Sequence, residues 1–508
     1  MKKIFYIIAL VSTHMTFAHP HFSEYIDTVA SNQLQECIQT ETAQDLNSEQ
    51  QAHTLFQEKK YEQALELYKK ELEQSPHSFS IHVNMGKIYE AIGQHDKALE
   101  SFTRALENRP SDNTSNTMLG NCLLNLGNHF FGAHKTEQAI DTFKKIFTIN
   151  PNLAAVHHNI AFTYAEQNGD FDSAIAHYKK AVSINPDNME VHFCYALSLL
   201  ATGNLIEGFK EYEYRWKRGT HAPRSFNYPI EKLWNGTTDL HGKRIVINVE
   251  QGLGDTLQFI RYAQLLKSKG AIVIAETQKP LAQLLSLCPY LDEVVAIGKP
   301  LPQFDAQIPM LNLPLAFKTT LETIPHEVPY LRADPRLIVE WRSYFAKATK
   351  DKQNFKIGIC WRGDAAHGAS KFMPFNFFAR LAEIKGISVY SLQKNEPNSS
   401  IKASDQANDT HIKQFDADFD TTNGRFMDTA AVIKNMDLII TVDTSIAHLA
   451  GGLGVPTWIV LPFPAEWRWL TKRDDSPWYP TMRLFRQKQF GNWNSVFSEI
   501  LEALAEAI

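Results

Sequence analysis

An internal period constrains this chain more than any other feature. Ala64, Tyr68 and Pro76 recur as Ala98, Phe102 and Pro110, then as Ala139, Phe143 and Pro151, and again as Ala174, Tyr178 and Pro186. In every set the aromatic follows the alanine by 4 residues and the proline follows the aromatic by 8. Residues four apart share a helix face, so alanine admits a neighbouring helix, the aromatic fills the groove between them, and proline ends the run. A preceding helix is marked by Gly86 and Tyr89, with Ala52 and Leu55, Gly120 and Leu123, and Ala161 and Tyr164 as counterparts. The second proline follows the first by 34 residues and the fourth follows the third by 35. The third copy is longer, and extra residues around His129 to Lys135 are expected to separate its two helices. A fifth copy, with Ala196, Gly203, Gly208 and Tyr212, ends at Tyr214-Arg215-Trp216 without the proline.

This pattern resembles the tetratricopeptide repeat, whose period is about 34 residues. Such helix pairs bury their apolar faces only against neighbours, so residues 45–218 are expected to form one α-superhelix of about five repeats with a concave groove. The groove's expected partner is a protein or peptide. No residue separates that role from stiffening or dimerising the chain.

The chain has 508 residues, 44% apolar and 21% charged, which suits an ordered protein of about three domains. A formal net charge of −5 gives no basic field for a polyanion, so nucleic acid is not expected as a partner. Cys37, Cys122, Cys194, Cys288 and Cys360 are odd in number and form no CxxC pair, which argues for buried thiols rather than disulfides or zinc ligands. His157 and His158 are adjacent and so cannot share a helix face as a metal pair would. At the start, Lys2-Lys3, an apolar run at 4–11 and Ala18 lay out a signal-like leader over residues 1–20, too short for a stable membrane span. Its cleavage box, Thr16-Phe17-Ala18, is imperfect.

From 219 to 242 the pattern lapses into turn and linker signals, among them Pro223, Pro229 and Asn235-Gly236. Beyond it, short β-branched strands alternate with helices, which implies parallel sheets covered by helices. A first lobe over 243–335 has strands expected at 244–249, 271–275, 293–297 and 305–308 and an amphipathic helix at 256–266. A second lobe over 336–490 has strands expected at 356–360, 388–392 and 437–442, and a last helix follows at 491–508.

Two strand ends carry chemistry. Gln251-Gly252-Leu253-Gly254-Asp255 is a glycine-rich turn between the first strand and its helix, where open α/β sheets place ligands. Gly252 and Gly254 begin a GxGxxG and Glu276 lies about twenty residues on, but Leu257 holds the third glycine position and would crowd helix against strand in a dinucleotide fold. In the second lobe, Asp443-Thr444-Ser445-Ile446-Ala447-His448 follows a buried strand. Thr444, Ser445 and the free amides of the next helix form an anion site able to take a diphosphate, with Asp443 turned to a sugar hydroxyl. The alternative is plain helix capping by Asp443 or Thr444.

The stretches GLGDTLQFIRY at 252–262, ICWRG at 359–363 and VDTSIAHLAGGLGVP at 442–456 together resemble the family 9 glycosyltransferases, which include the bacterial heptosyltransferases. The tail from Glu466-Trp467-Arg468-Trp469 to Trp478-Tyr479-Pro480 is similar to the subgroup preceded by tetratricopeptide repeats. The resemblance implies a GT-B fold, two Rossmann-like lobes with the donor on the second and the acceptor approaching the first, with no metal and no cofactor. On that basis Asp416-Ala417-Asp418 is a solvated loop rather than a metal-binding DxD. By position, Asp255 matches the general base, with Gly252 and Gly254 beside it. Lys371 matches the lysine that holds the diphosphate, and Asp443, Thr444, Ser445 and His448 match the donor-binding Asp-Thr-Gly-x-x-His. Ser445 replaces the family's glycine, and no arginine follows Lys371.

The resulting expectation is an inverting transfer of a sugar from a nucleoside-diphosphate donor to an acceptor hydroxyl, with the repeats recruiting a protein. Two alternatives are an idle repeat scaffold and a protein O-glycosyltransferase. Because activated sugars are supplied in the cytosol, a cytoplasmic location is expected, export being the alternative if the leader acts.

Overall fold

The computed structural model describes residues 48–218, 228–348, 354–363, 372–394 and 411–508. The signal-like leader at 1–20 and Lys371 lie outside the described residues. By contacts the chain divides into two compact units, cut between Val191 and His192 within the fifth repeat.

The first unit is built of antiparallel helix pairs: Ser48–Gln57 with Tyr61–Gln74, Phe79–Ala91 with His95–Glu107, Asn113–Gly132 with Thr136–Ile146, and Ala154–Thr163 with Phe171–Ile184. The alanine and aromatic positions are its buried centre: Ala64, Tyr68, Ala98, Phe102, Ala139, Phe143, Ala174 and Tyr178 are all buried. One apolar core runs from Ala52 to Ile160 across the pairs, as expected for units that cannot bury their faces alone.

Glycine sets how closely the two helices of a pair approach. A Cβ on Gly86 would lie 2.4 Å from the Phe102 ring, and one on Gly127 would lie 2.3 Å from the Phe143 ring. Gly127, not Gly120, is therefore the structural counterpart of Gly86. The extra residues of the third repeat do not open a loop between its helices; they lengthen the first helix to 20 residues, ending at Gly132, four residues before Thr136. An insertion of seven residues adds about two helical turns and returns the same face to its partner, so Gly120 lies on that face but beyond the aromatic. The 35-residue spacing of the fourth repeat has an equally local cause. From Ala52 to Tyr68 and from Gly86 to Phe102 the separation is 16, whereas from Ala161 to Tyr178 it is 17. The added residue is taken up in a π-helical turn at Tyr164–Asn168, the usual form of a single-residue insertion within a helix.

The second unit begins with the rest of helix Met189–Ala201, followed by Leu205–Tyr212 and the 3₁₀ turn Glu213–Lys217. Two parallel sheets follow. The first contains β1 (Arg244–Asn248), β2 (Ile272–Thr277), β3 (Glu293–Ala296) and β4 (Ala306–Pro309) in the order β3-β2-β1-β4. The second contains β5 (Phe355–Cys360), β6 (Ile387–Ser391), β7 (Leu438–Val442), β8 (Thr457–Leu461) and β9 (Met482–Arg486) in the order β6-β5-β7-β8-β9. β7 and β8 are buried at every residue, as expected for strands covered on both faces. β8 and β9 extend the second sheet beyond the strands expected from the sequence. The helix expected over 256–266 is broken into Leu253–Phe259, a 3₁₀ turn Ile260–Tyr262 and Ala263–Ser268. This bend accompanies a wholly buried Arg261, which donates to the carbonyls of Gln258 and Pro325 and to the Tyr330 hydroxyl.

These topologies fix where a ligand belongs. The first sheet changes direction between β1 and β4, the second between β5 and β7. In open α/β sheets the crevice at the carboxyl ends of such a pair is the binding position.

Candidate functional site

The turn after β1 is held from several sides. Arg215, at the end of the fifth repeat, donates Nε to Glu250 Oε2 at 2.9 Å and Nη2 to Glu250 Oε1 at 3.2 Å, and both side chains are 1% exposed. Glu250 also accepts from the Leu311 N–H at 2.8 Å. The next residue, Gln251, donates to the Tyr212 hydroxyl at 2.9 Å, and Gln278 donates to the Gln251 carbonyl at 2.8 Å. Tyr212 belongs to the fifth repeat, so that repeat's last helix holds the glycine-rich turn in place.

Asp255 stands in the first turn of helix Leu253–Phe259. Its Oδ2 accepts from the Gly252 N–H at 2.8 Å, satisfying one of the helix's orphan donors. Its Oδ1 accepts from Arg468 Nη2, across from the second lobe. The carboxylate therefore lies where the two lobes meet and retains about 20% exposure. Arg468 also gives Nη1 to Glu466 and Nε to Gln258 Oε1 at 2.8 Å, and lies over the Trp467 ring at 4.4 Å.

Gly254 is expected to admit a ligand to the backbone, but the group opposite its Cα is His448. A Cβ there would lie 2.9 Å from His448 Cδ2, with the Ser445 Cα 3.8 Å away. The helices that start at the two strand ends, Leu253–Phe259 and Ser445–Gly452, are in direct contact. Gly254 allows that approach, while a Cβ on Gly252 would meet only the Asp255 carboxylate, at 3.2 Å.

In the second lobe, β5 and β7 are adjacent, with Cys360 opposite Thr441. Thr444 occupies the N-cap position of helix Ser445–Gly452 but makes no side-chain cap. Its hydroxyl meets the Thr441 hydroxyl at 3.2 Å and Cys360 Sγ at 3.8 Å. The Thr444 hydroxyl thus accepts nothing from the helix's first amides, although its carbonyl accepts from the Ala447 N–H at 3.0 Å, so side-chain capping fails for that residue. His448 is buried, with Nδ1 2.8 Å from the Tyr479 hydroxyl and Nε2 3.9 Å from Asp443 Oδ1. Burial first, then the positive charges of Arg468 and Arg261, push its pKa well below the usual value, so the ring is neutral. Asp416, Ala417 and Asp418 are exposed in a turn.

Asp255, Asp443, Thr444, Ser445 and His448, distant in sequence, thus gather where the two switch points meet. Glu466, Arg468 and Tyr479 join them without having been singled out for a role. Their signal was a Glu-x-Arg spacing and an aromatic tail, which read equally as packing until an opposite charge was placed beside them.

Models described as tetratricopeptide repeat and TPR repeat match residues 44–111 and 77–150, and 166–203, so the amino-terminal helices are tetratricopeptide repeats. Protein FlbA of Caulobacter vibrioides is 26% identical over 453 residues, covering 83% of this chain and 72% of FlbA. Among solved structures, the crystal structure of MamA is similar at 21% identity and a TM-score of 0.27, covering 35% of this chain and 97% of MamA. A glycosyl transferase family 9 structure from Veillonella parvula is similar at 12% identity and a TM-score of 0.38, covering 53% of this chain and 98% of that one. No described helix is long and apolar enough to cross a membrane.

Proposed function

We propose that the two α/β lobes form a glycosyltransferase that moves a sugar from a nucleoside-diphosphate sugar to an acceptor hydroxyl, and that the repeats dock a protein, the acceptor or its carrier. The observation that carries this reading is the meeting of the two switch points: Gly254, next to Asp255, lies against His448 and Ser445 of the other lobe's strand-end helix, and Asp255 itself accepts from Arg468 of that lobe. A strand-end carboxylate close to a second helix amino terminus suits an acceptor alcohol and a leaving diphosphate.

In this reading the first-turn amides after Thr444, with the Ser445 hydroxyl, receive the diphosphate. Asp443 faces a sugar hydroxyl, since it would repel the phosphates. Neutral His448 bonds the donor or orients Asp443 through Nε2. Asp255 takes the acceptor's proton as the anomeric carbon gains oxocarbenium character, and the electrons of the breaking carbon–oxygen bond leave on the diphosphate. Lys371, outside the described residues, is assigned to the same charge on the strength of the sequence alone.

Calorimetry of the full chain with UDP-, GDP- and ADP-linked sugars tests the donor site. Heat from at least one is expected, and Asp255→Asn should keep that heat while losing release of nucleoside diphosphate. Silence from the whole panel would favour a repeat scaffold with an idle module, and full turnover in Asp255→Asn would remove the base assignment. Protein-linked sugar in mass spectra of cells with the enzyme, absent without it, would identify the acceptor as a protein.

A further inference from the structure

Glu466 is a charged group the transfer step above does not use, yet one residue joins it to Asp255. Arg468 gives Nη1 to Glu466 and Nη2 to Asp255, and its backbone N–H returns to Glu466 Oε2 at 2.9 Å. The charged groups facing Glu466 are Arg468, Asp443 and Asp255; Arg468 also faces Tyr212 and neutral His448. Phe259 and Trp467 cover the guanidinium. Three carboxylates, Asp255, Asp443 and Glu466, therefore surround this one guanidinium.

A guanidinium on Asp255 stabilises its charged form and weakens it as a base, so a second carboxylate that shares Arg468 strengthens Asp255. Glu466 is the other carboxylate that accepts from Arg468, while the Gln258 amide oxygen accepts from its Nε. We propose that Glu466 is a positioning residue for Asp255: as a carboxylate it holds Arg468 between the two acids and offsets its charge, and as a neutral acid it leaves that charge acting on Asp255 alone. This rests on the reading of Asp255 as the base. In the transfer step the acceptor's O–H electrons form the new bond to the anomeric carbon, the proton passes to Asp255, and the diphosphate departs with the old bond's electron pair. Glu466 exchanges no atom.

The working range of the switch follows from its surroundings. Burial raises the Glu466 acid, Arg468 lowers it, and Asp443 and Asp255 raise it again, for a value of about 7. Below that value Glu466 carries its proton and the Arg468 charge acts on Asp255 undivided; above it the Glu466 carboxylate shares that charge.

The test uses the full chain, with water as the acceptor hydroxyl and release of nucleoside diphosphate from UDP-, GDP- and ADP-linked sugars as the readout between pH 5 and 9. The wild-type rate is expected to rise through a limb near pH 7. Glu466→Gln should lose that limb and fall by about tenfold or more at pH 8, with donor affinity by calorimetry unchanged. Glu466→Asp, which keeps the carboxylate on a shorter arm, should retain the limb and recover part of the rate. A Glu466→Gln profile with the limb intact, or a uniform loss that Glu466→Asp does not relieve, would overturn the inference. Asp255→Asn separates the two readings: if it is active the base assignment fails, whereas if it is inactive and Glu466→Gln matches wild type, only the role of Glu466 fails.

Discussion

Gly254 of the first lobe and His448 of the second are in van der Waals range: a Cβ on Gly254 would stand 2.9 Å from His448 Cδ2. The imidazole cannot easily give way, because Trp469 stacks beside it at 5.5 Å between centroids and Tyr479 bonds its Nδ1 at 2.8 Å. Gly254→Ala is therefore expected to push the lobes apart at the site, costing about 1–3 kcal/mol as an overpacked contact. Urea unfolding measures the stability loss and calorimetry the donor affinity. A variant matching wild type in both would show that the contact is not tight.

Arg215 and Glu250 form a buried ion pair in the second unit, and Glu213, Asn312 and the Tyr212 carbonyl also accept from the arginine. Burial raises the Glu250 acid and Arg215 opposes that rise. Arg215→Ala leaves a buried carboxylate without its cation and should cost about 3–5 kcal/mol, whereas pairing Arg215→Met with Glu250→Gln should recover much of it. Denaturant midpoints of the three proteins check this. Equal losses in the single and double variants would show that the unpaired Glu250 charge is not what costs the stability.

Gly127 and Gly120 distinguish the observed register of the third repeat from the one the sequence suggests. Gly127→Ala should drive into the Phe143 ring and destabilise the array by about 1–3 kcal/mol. Gly120→Ala meets only Ile146 Cγ2, at 3.9 Å, and should stabilise by about 0.5–1 kcal/mol because alanine replaces glycine in a helix interior. Thermal unfolding of both variants is the check, and a reversal of their order would refute the register.

His157 and His177 face each other with Nδ1 atoms 3.0 Å apart, so one must donate and the other accept, and both are neutral. Burial, with His157, Lys180 and Lys144 adding repulsion, pushes His177 down to about 4. The folded state binds a proton here less readily than the unfolded chain, so the pair's contribution is complete above pH 6.5 and is lost as pH falls from there towards 4. His177→Phe should flatten that part of the stability–pH curve, which chemical denaturation at several pH values would reveal. An unchanged slope would show that the pair does not govern it.

The repeats were legible because their chemistry is periodic: an alanine, an aromatic and a proline at fixed offsets dictate a helix, its face and its end within one short stretch. The local causes of the 34-residue spacing's two exceptions were not, because a lengthened helix and a π turn are both ways of adding residues without changing composition. In the second unit, β-branched runs and strand-end glycines located two strand ends with Asp255, Asp443, Thr444 and Ser445 beside them, while the strand order made those ends switch points. Yet Arg468 lies 213 residues from the carboxylate it grips, and Glu466 owes its place to that grip. Sequence alone determined what is settled by bonding between near neighbours: helix faces, strand ends and caps. Only the tertiary structure decided which charges meet, because a guanidinium and a carboxylate attract through space and the fold, not the chain between them, sets that distance.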